Sequence, residues 1–246
     1  MITIEDLAAA IAARAGLRRP FLIGITGSVA SGKSTLAAQL ATALARLDPP
    51  LAAEIAASDG FLFPNRVLEA RGLLSRKGRP ETYDAAAMTA LLAAIREGAV
   101  DLPVYSHRLY GIEPGVMRRL SAPGVLIVEG LGFNALATGA LDLMVFIDAG
   151  EDDLETWFVG RFLEFVAAAR EDPESFYFRF ADLDEAKARA FASEVWGGIN
   201  LPNLRESIAL LKDRADLVVS KRADHAIIEA RWRETPGPWK EEADAT

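Results

Sequence analysis

Hydrophobic and polar positions divide the chain into blocks that predict strands and helices in alternation. Short unbroken apolar runs, typical of strands buried on both faces of a parallel sheet, lie at residues 20–26, 51–57, 124–128, 142–148 and 215–220. Longer stretches with apolar residues three or four positions apart, which predict helices, lie at residues 4–15, 33–47, 84–96, 153–169, 184–195 and 203–213. This alternation predicts an α/β fold in which a parallel sheet carries helices on both faces.

One segment interrupts the alternation. Residues 61–83, within the longer segment 58–84, are rich in Arg, Gly and Pro, and they predict a long functional loop with room for one helical turn. The tail from Glu234 onward is polar with two prolines and is predicted to be loose. The chain has 246 residues and 51% hydrophobic content, which is enough for one core, so we expect a single domain over residues 1–246.

Composition narrows the classes of function. The formal net charge of −8 argues against broad, non-specific nucleic-acid binding, although a small anionic ligand needs only a local basic pocket. The absence of cysteine excludes disulfides, thiolate catalysis and cysteine-based zinc sites. No long uninterrupted apolar window occurs, and the acidic N-terminus does not resemble a signal peptide. We therefore expect a cytoplasmic protein without a membrane span.

A glycine-rich sequence follows the first predicted strand and opens the second predicted helix. Residues 27–34, GSVASGKS, match the P-loop pattern G-x-x-x-x-G-K-[ST]. In this pattern the glycines turn backbone N–H groups towards phosphates, the lysine reaches the β- and γ-phosphates, and the serine hydroxyl binds Mg²⁺. The following helix directs its positive end at the same anion. The predicted nucleotide site consists of Gly27, Ser28, Val29, Ala30, Ser31, Gly32, Lys33, Ser34 and Thr35.

Acidic residues stand where predicted strands end. Glu129 lies at the edge of the sheet where ligands bind, so we predict that it holds Mg²⁺ directly or through water, with an ordinary turn as the alternative. Asp59 would lie near the γ-phosphate if the second strand neighbours the first, and it could then accept a hydroxyl proton. For Asp59 a plain Asp-Gly turn is the alternative. Asp148 is expected to be structural, as a cap of the helix that follows it.

A P-loop alone serves kinases, ATPases and GTPases. A guanine-specific switch would carry Asn-Lys-x-Asp after a late strand, and the nearest segment, SKRAD at 220–224, has Ala223 in place of that Asp. The GTPase interpretation is therefore disfavoured. The loop at 58–84 is basic within an acidic chain, which suits an anionic substrate or nucleotide unless the loop is simply solvated. Its cations include Arg66, Arg71, Arg76, Lys77 and Arg79.

Aromatic residues surround a single cation on the predicted helix at 153–169. Arg161 stands among Trp157, Phe158, Phe162 and Phe165. It could reach a phosphate, or it could be a structural arginine stacked on these rings. Tyr105 and His107 alternate along a further predicted strand and could face one side together. The second histidine, His225, has no such setting and is expected at the surface.

Several segments taken together resemble one family. GITGSVASGKST, SDGFLFPNRVLEARGLLSRKGRPETYD, PVYSHRLY, VLIVEGL, ETWFVGRFLEF and INLPNLRESI occur in the order found in the bacterial type I pantothenate kinases. That family belongs to the phosphoribulokinase and uridine kinase group of P-loop kinases. The resemblance runs from Phe21 to Arg231 and implies Mg²⁺- and ATP-dependent phosphorylation of pantothenate, the first step towards coenzyme A. It also suggests a homodimer.

The resemblance also implies roles for individual residues. Asp59 would be the catalytic base, and Arg161, on a lid helix, would stabilise charge on the transferring phosphoryl group beside Lys33. Lys77 would lie in the basic loop near the substrates. The residues that would contact pantothenate are Tyr105, His107 and Asn203. Those that would line an apolar pocket beside it are Phe162 and Phe165.

The chain departs from the family pattern in ways that bear on substrate and regulation. Phe158 stands where the family usually carries a tyrosine, so one hydrogen-bond donor to the substrate is missing and the preferred substrate could differ. Ala38 stands where the family usually has an arginine of the feedback site for coenzyme A, so we expect weak inhibition. The N-terminal region and the stretch after the EGL motif are short. The alternatives are a kinase of a fructose-like sugar or of a nucleoside such as uridine, and a nucleotide-binding regulator that has lost catalysis.

Overall fold

The computed structural model describes residues 2–16, 19–137 and 139–233. Within them the strands are β1 Phe21–Gly27, β2 Ala53–Ala57, β3 Val100–Ser106, β4 Gly111–Leu120, β5 Val125–Glu129, β6 Leu143–Asp148, β7 Leu217–Lys221 and β8 Ile227–Trp232. The main sheet has the order β2–β5–β1–β6–β7–β8. Its strands are parallel except β8, which runs antiparallel to β7. β3 and β4 form a separate antiparallel hairpin.

The helices cover both faces of the main sheet. They are α1 Ile4–Ala15, α2 Lys33–Ala45, α3 Asn65–Ala70, α4 Ala85–Ala94, α5 Glu151–Ala169 and α6 Glu185–Val195. Alternate residues of β1 show the two faces: Ile23 and Ile25 belong to the core under α1 and α2, whereas Leu22 belongs to the core under α4 and the start of α5. The predicted α/β fold, a mostly parallel sheet with helices on both faces, is confirmed.

The strand order corrects the assumption, made from the sequence, that the second strand lies next to the first. β2 does not lie next to β1, because β5 is inserted between them. Glu129 of β5 pairs in register with Ile25 of β1 on one side and with Ala57 of β2 on the other. Glu129 therefore adjoins the P-loop strand directly, and Asp59, two residues beyond Ala57, lies one strand further out on the same edge of the sheet.

Other predictions were incomplete or wrong. β4, which contains Pro114 and Gly115, and the edge strand β8 were not predicted, so the strand at 215–220 is not the last one. Asp148 does not cap α5: Gly150 occupies the N-cap position, and Asp148 forms an ion pair with Lys212 at 2.7 Å. The carboxylate is therefore used to tie the end of β6 to a later helical segment.

The helical segments predicted at 184–195 and 203–213 are joined into one helical run. After α6, π-helical turns at Trp196–Asn200 and Leu204–Ile208 flank a short α-helical piece, Leu201–Asn203, and a 3₁₀ turn Ala209–Arg214 ends the run. π turns inside helices are often found at functional sites. The run packs into the core through Trp196, Leu204, Ile208 and Leu211.

The long loop has more local structure than its composition indicates. It contains a 3₁₀ turn at Ser58–Phe61, then α3, then 3₁₀ turns at Leu74–Arg76 and Pro80–Thr82. None of the helices in the described ranges is both long and apolar enough to cross a bilayer. The tail from Glu234, predicted to be loose, lies outside the described residues.

Candidate active site

The P-loop connects the end of β1 to the start of α2 at the carboxyl edge of the sheet. We call residues 27–35 the phosphate cradle. At Gly27, φ is +145° and an added Cβ would lie 2.6 Å from the carbonyl oxygen of Ile147, so no side chain fits there. The hydroxyls of Ser28 and Ser31 are buried and have no hydrogen-bond partner among the described residues. Donors and acceptors therefore remain open for a polar ligand in the cradle.

Lys33 lies folded over the cradle. Its Nζ donates to the carbonyl oxygens of Ser28 at 2.7 Å and Gly27 at 3.4 Å. Burial of the ammonium lowers the pKa of Lys33 to about 8, and the Glu129 and Asp59 carboxylates oppose this effect. A phosphate placed in the cradle would offer this cation a stronger partner than the neutral carbonyls.

Glu129 and Ser34 form an oxygen pair beside the cradle. The hydroxyl of Ser34 donates to Oε1 of Glu129 at 2.9 Å. Burial raises the pKa of Glu129, and the nearby Lys33 ammonium acts against this rise. A hydroxyl and a carboxylate are oxygen ligands of the kind that Mg²⁺ takes, with phosphates and water completing its octahedron. Ser34 and Glu129 therefore have the chemistry to hold Mg²⁺ beside the cradle.

Asp59 lies in the 3₁₀ turn after β2, between the cradle and the long loop. The phenol of Tyr83 donates to its Oδ1 at 2.9 Å. The neighbouring Ser58 fixes the turn, because its hydroxyl accepts from the N–H of Leu131 at 2.9 Å. The carboxylate of Asp59 influences the pKa of both Lys33 and Lys77. The two sequence-predicted acids and both lysines are thus brought into one site.

Lys77 extends from the long loop into the site. Its Nζ donates to Oδ1 of Asn65 at 2.8 Å and to the carbonyl oxygen of Tyr110. The same ammonium lies 4.1 Å from the ring centroid of Tyr110 and 5.0 Å from that of Tyr105. Burial lowers the pKa of Lys77 to about 8, with Asp59 as the opposing charge. Cation–π contacts and hydrogen bonds together fix this charge against the aromatic rings.

A continuous group of aromatic rings, which we call the aromatic wall, borders Asp59 and Lys77. It consists of Tyr105, His107, Tyr110, Phe165, Phe176 and Tyr177. Tyr105 is the penultimate residue of β3, and its ring meets that of His107, in the following turn, edge-on at 5.2 Å between centroids. His107 in turn stacks on Phe165 of α5 at 5.7 Å. Tyr105 and His107 do face the same site, although only Tyr105 belongs to the strand.

Arg161 joins the aromatic wall to the cradle. Its Nη2 lies 3.2 Å from Nε2 of His107, and because Arg has donors only, Nε2 accepts and Nδ1 carries the proton. Burial, followed by the Arg161 charge, lowers the pKa of His107. Arg161 also influences the pKa of Lys33 and of Glu129. The cation therefore acts on both halves of the site.

The remaining predicted residues have different surroundings. Asn203 is buried, its Nδ2 donates to the carbonyl oxygen of Gly78 at 3.0 Å, and its Oδ1 has no partner among the described residues. Phe158 lies tilted against Trp196 at 5.9 Å. Phe162 packs between α5 and α6, in a buried cluster with rings such as Phe191. Phe162 thus supports the wall from behind.

Sequence reasoning missed several contributors. Tyr83 was part of a quoted segment, but nothing in the sequence indicates that its phenol meets Asp59 across the loop. Tyr110 and Tyr177 join the wall from positions without a recognisable pattern. His225 was expected at the surface; it is exposed, yet its ring stacks on Trp157 at 4.0 Å between centroids. Lys221, at the end of β7, donates to the carbonyl oxygen of Ser31 in the cradle at 3.1 Å.

Comparisons with known proteins show to which family this chain is similar. The model of the phosphoribulokinase and uridine kinase family matches residues 22–157. Pantothenate kinase of Streptococcus pneumoniae strain P1031 is 39% identical over 238 residues, which cover 92% of this chain and 78% of that relative.

Solved structures show the same architecture. A protein described as a fructose transport system kinase, from Silicibacter sp. TM1040, is 29% identical with a TM-score of 0.67, over 83% of this chain and 93% of that one. D-glycerate 3-kinase from Cryptococcus neoformans is 13% identical with a TM-score of 0.64, over 95% and 100% of the two chains. The second of these likenesses concerns the fold alone.

Proposed function

Because this chain belongs to the phosphoribulokinase and uridine kinase family, we propose that it transfers the γ-phosphoryl group of Mg-ATP to the primary hydroxyl of pantothenate. The family match and the similarity to pantothenate kinase indicate an ATP-dependent kinase. The observation that carries the proposal is the position of Asp59: it follows β2, whose Ala57 pairs with Glu129, at the edge of the sheet that holds the cradle, and its Oδ1 accepts from the Tyr83 phenol at 2.9 Å. We call Lys77, Arg161, Asn203 and the aromatic wall the acceptor pocket.

The cradle would bind the nucleotide phosphates. Its backbone N–H groups and the start of α2 favour an anion, and Lys33 would exchange its carbonyl partners for phosphate oxygens. Glu129 and Ser34 would hold Mg²⁺, which neutralises charge on the β- and γ-phosphates when it is bound. Arg161 would add a second cation next to Lys33, as its influence on the pKa of Lys33 and Glu129 supports.

Asp59 would act as the base. The phenol of Tyr83 orients the carboxylate through Oδ1, which leaves Oδ2 to accept the proton of the substrate hydroxyl. Burial raises the pKa of Tyr83 well above its ordinary value, so the phenol stays protonated and keeps donating. As the substrate O–H bond breaks, its oxygen bonds to the γ-phosphorus, the β–γ bridge breaks and ADP leaves.

Pantothenate fits the character of the acceptor pocket. It is an anion with a branched apolar centre, and the pocket offers cations beside aromatic rings. Asn203 adds a buried amide oxygen that still lacks a partner among the described residues. A polyhydroxylated sugar would need a polar partner for most of its hydroxyls, and the two phenylalanine rings of the wall supply none.

A sugar acceptor is the second candidate. It is favoured by Phe158, which stands where pantothenate kinases usually carry a tyrosine and so removes one hydrogen bond to pantothenate, and by the 29% identity to the protein described as a fructose transport system kinase. A nucleoside such as uridine is a weaker alternative. The homodimer suggested by the family resemblance stays a prediction.

A substrate panel tests the proposal. Purified protein is incubated with Mg-ATP and, in separate reactions, pantothenate, fructose, glycerate or uridine, and the phosphorylated product is identified by phosphorus NMR. We expect the highest kcat/KM with pantothenate and a signal for 4′-phosphopantothenate. A higher kcat/KM with fructose would show that a sugar, and not pantothenate, is the preferred acceptor. ATP binding without transfer to any acceptor would favour the silent regulator.

A further inference from the structure

The turn between β7 and β8 contains a motif that the phosphoryl-transfer scheme does not use. Residues 220–225, SKRADH, lack the acid that would select guanine, yet they keep a lysine at the point where β7 ends. The register of the β7–β8 pair shifts between Ser220 and Lys221. Lys221 thus stands at an irregularity of the strand on the same edge of the sheet as the cradle.

The side chain of Lys221 runs inward and meets the cradle. It is only 8% exposed, and its Nζ donates to the carbonyl oxygen of Ser31 at 3.1 Å. Gly32, the next residue, has φ of +80°, and a Cβ added there would lie 2.8 Å from the same Nζ. The ammonium therefore occupies the space that a side chain at position 32 would fill, directly against the bend that precedes α2.

The turn that carries Lys221 is itself held in place. The indole Nε1 of Trp157 donates to the carbonyl oxygen of Ala223 at 3.0 Å. The ring of His225 stacks on the same Trp157. Arg222 and Asp224 form an ion pair at 2.9 Å within the turn. Because α5 fixes the turn at two points, Lys221 has a rigid base from which to hold the cradle.

The two lysine ammonium groups at the cradle are electrostatically unfavourable when no anion is bound. Burial lowers the pKa of Lys221. Lys221 donates to the carbonyl oxygen of Ser31 and Lys33 to those of Gly27 and Ser28, so two ammonium groups contact one loop, and their charge favours an incoming anion. A nucleotide phosphate would supply that negative charge, which couples the position of Lys221 to nucleotide binding.

We propose that Lys221 is a positioning residue, which holds the Ser31–Gly32 bend of the cradle in the conformation that receives the nucleotide phosphates. It acts through the P-loop backbone from the outside, whereas Lys33 acts on the phosphates from within the cradle. The inference rests on nucleotide binding at the cradle and is independent of which hydroxyl is phosphorylated.

Lys221→Met tests this role because it keeps the length of the side chain and removes the ammonium. Binding of Mg-ATP to the full chain is titrated by calorimetry, and KM for ATP, KM for the acceptor and kcat are measured separately. Loss of one charged hydrogen bond to the loop should raise the Kd and KM for ATP about tenfold. KM for the acceptor should stay within about twofold, since Lys221 acts on the Ser31–Gly32 bend of the cradle.

Lys187→Met is the matched control, because Lys187 is an exposed lysine of α6 that pairs with Asp184, the N-cap of the same helix, and its loss changes the net charge equally. It should bind ATP as the wild type does. Thermal unfolding without nucleotide separates positioning from stability. If Lys221→Met unfolds at a lower temperature but its folded form binds ATP with unchanged Kd, Lys221 is only a packing residue and the inference is wrong. If the wild type itself binds no ATP, the proposed function fails instead.

Discussion

The phosphate cradle and the acceptor pocket differ in how the chain assembles them. The cradle is a run of consecutive residues, 27–35, between one strand and one helix. The acceptor pocket takes Lys77 from a long loop, Tyr105 from a hairpin, Arg161 from α5 and Asn203 from a partly π-helical run. The first is therefore determined by local backbone geometry, and the second by tertiary packing.

The two regions also present different kinds of atoms. The cradle presents mainly backbone groups, whose positions depend on glycines such as Gly27 and on contacts such as that of Lys221 with Ser31. The acceptor pocket presents side chains. A single substitution in the acceptor pocket is therefore expected to change the preferred acceptor while the nucleotide site remains intact.

The largest effect is expected from a substitution of Asp59, where the two regions meet. This substitution should abolish most of the catalysis and leave nucleotide binding nearly unchanged. Asp59→Asn keeps an acceptor for the Tyr83 phenol but removes the base, so kcat should fall by about 1000-fold. The Kd for Mg-ATP, measured by calorimetry, should change by less than about threefold, because the cradle backbone is untouched. A kcat close to that of the wild type would show that Asp59 only shapes the turn.

A smaller effect is expected at the metal position of the cradle. Glu129→Gln should lower kcat by about 100-fold and raise the Mg²⁺ concentration needed for half-maximal rate. Asp148→Asn is the matched control: β5 and β6 flank β1 on opposite sides, and Asp148 ends β6 as Glu129 ends β5. Asp148 is paired with Lys212, so its variant should keep the Mg²⁺ dependence. Equal Mg²⁺ dependence in both variants would contradict a metal role for Glu129.

The difference between the two regions explains what could be predicted from sequence. The cradle, the strand before it and the helix after it follow from one contiguous motif, and the structure has them at Phe21–Gly27 and Lys33–Ala45. Glu129 and Asp59 were predicted because Glu129 ends one apolar strand and Asp59 follows another within two residues. The family resemblance, and not periodicity, indicated the residues of the acceptor pocket.

Other features depend on contacts that no local pattern records. The insertion of β5 between β1 and β2 follows from sheet packing. The hydrogen bond from Tyr83 to Asp59 spans 24 positions, and that from Lys221 to Ser31 spans 190. β8, with its mixed polarity, forms because β7 offers it an edge. Such features can be recognised only in the folded structure and not in the sequence.

A pH profile of kcat/KM tests whether Lys33 of the cradle and Lys77 of the acceptor pocket lose their protons independently. Lys33 and Lys77 both have a pKa lowered to about 8 by burial, so each is charged below that pH and loses its proton above it. In the free enzyme, kcat/KM for ATP should therefore fall about tenfold between pH 7 and pH 9. At saturating ATP the bound phosphates keep Lys33 protonated. The pH dependence of kcat/KM for the acceptor should then follow the ionisation of Lys77.

Lys77→Arg is the control for this assignment, because a guanidinium stays charged throughout the range. In this variant the alkaline fall in kcat/KM for the acceptor should disappear, while the fall in kcat/KM for ATP remains. If both falls persist, the acceptor-side titration belongs to another group. If both disappear, the two regions are coupled more tightly than their separate assembly indicates.

The smallest expected effect concerns coenzyme A. Ala38 is an exposed residue of α2, one helical turn beyond the cradle, beside a surface groove of about 350 Å³ that Gln39, Thr42 and Arg46 also line. Without an arginine at position 38, coenzyme A at concentrations near the KM for ATP should change the rate by less than about twofold. Ala38→Arg should strengthen inhibition by up to about fivefold, within the range of an exposed charge contact. Gln39→Arg, which adds the same charge one residue away, should not. Potent inhibition of the wild type that competes with ATP would mean that the cradle alone binds coenzyme A, so that its backbone, and not a neighbouring arginine, determines regulation.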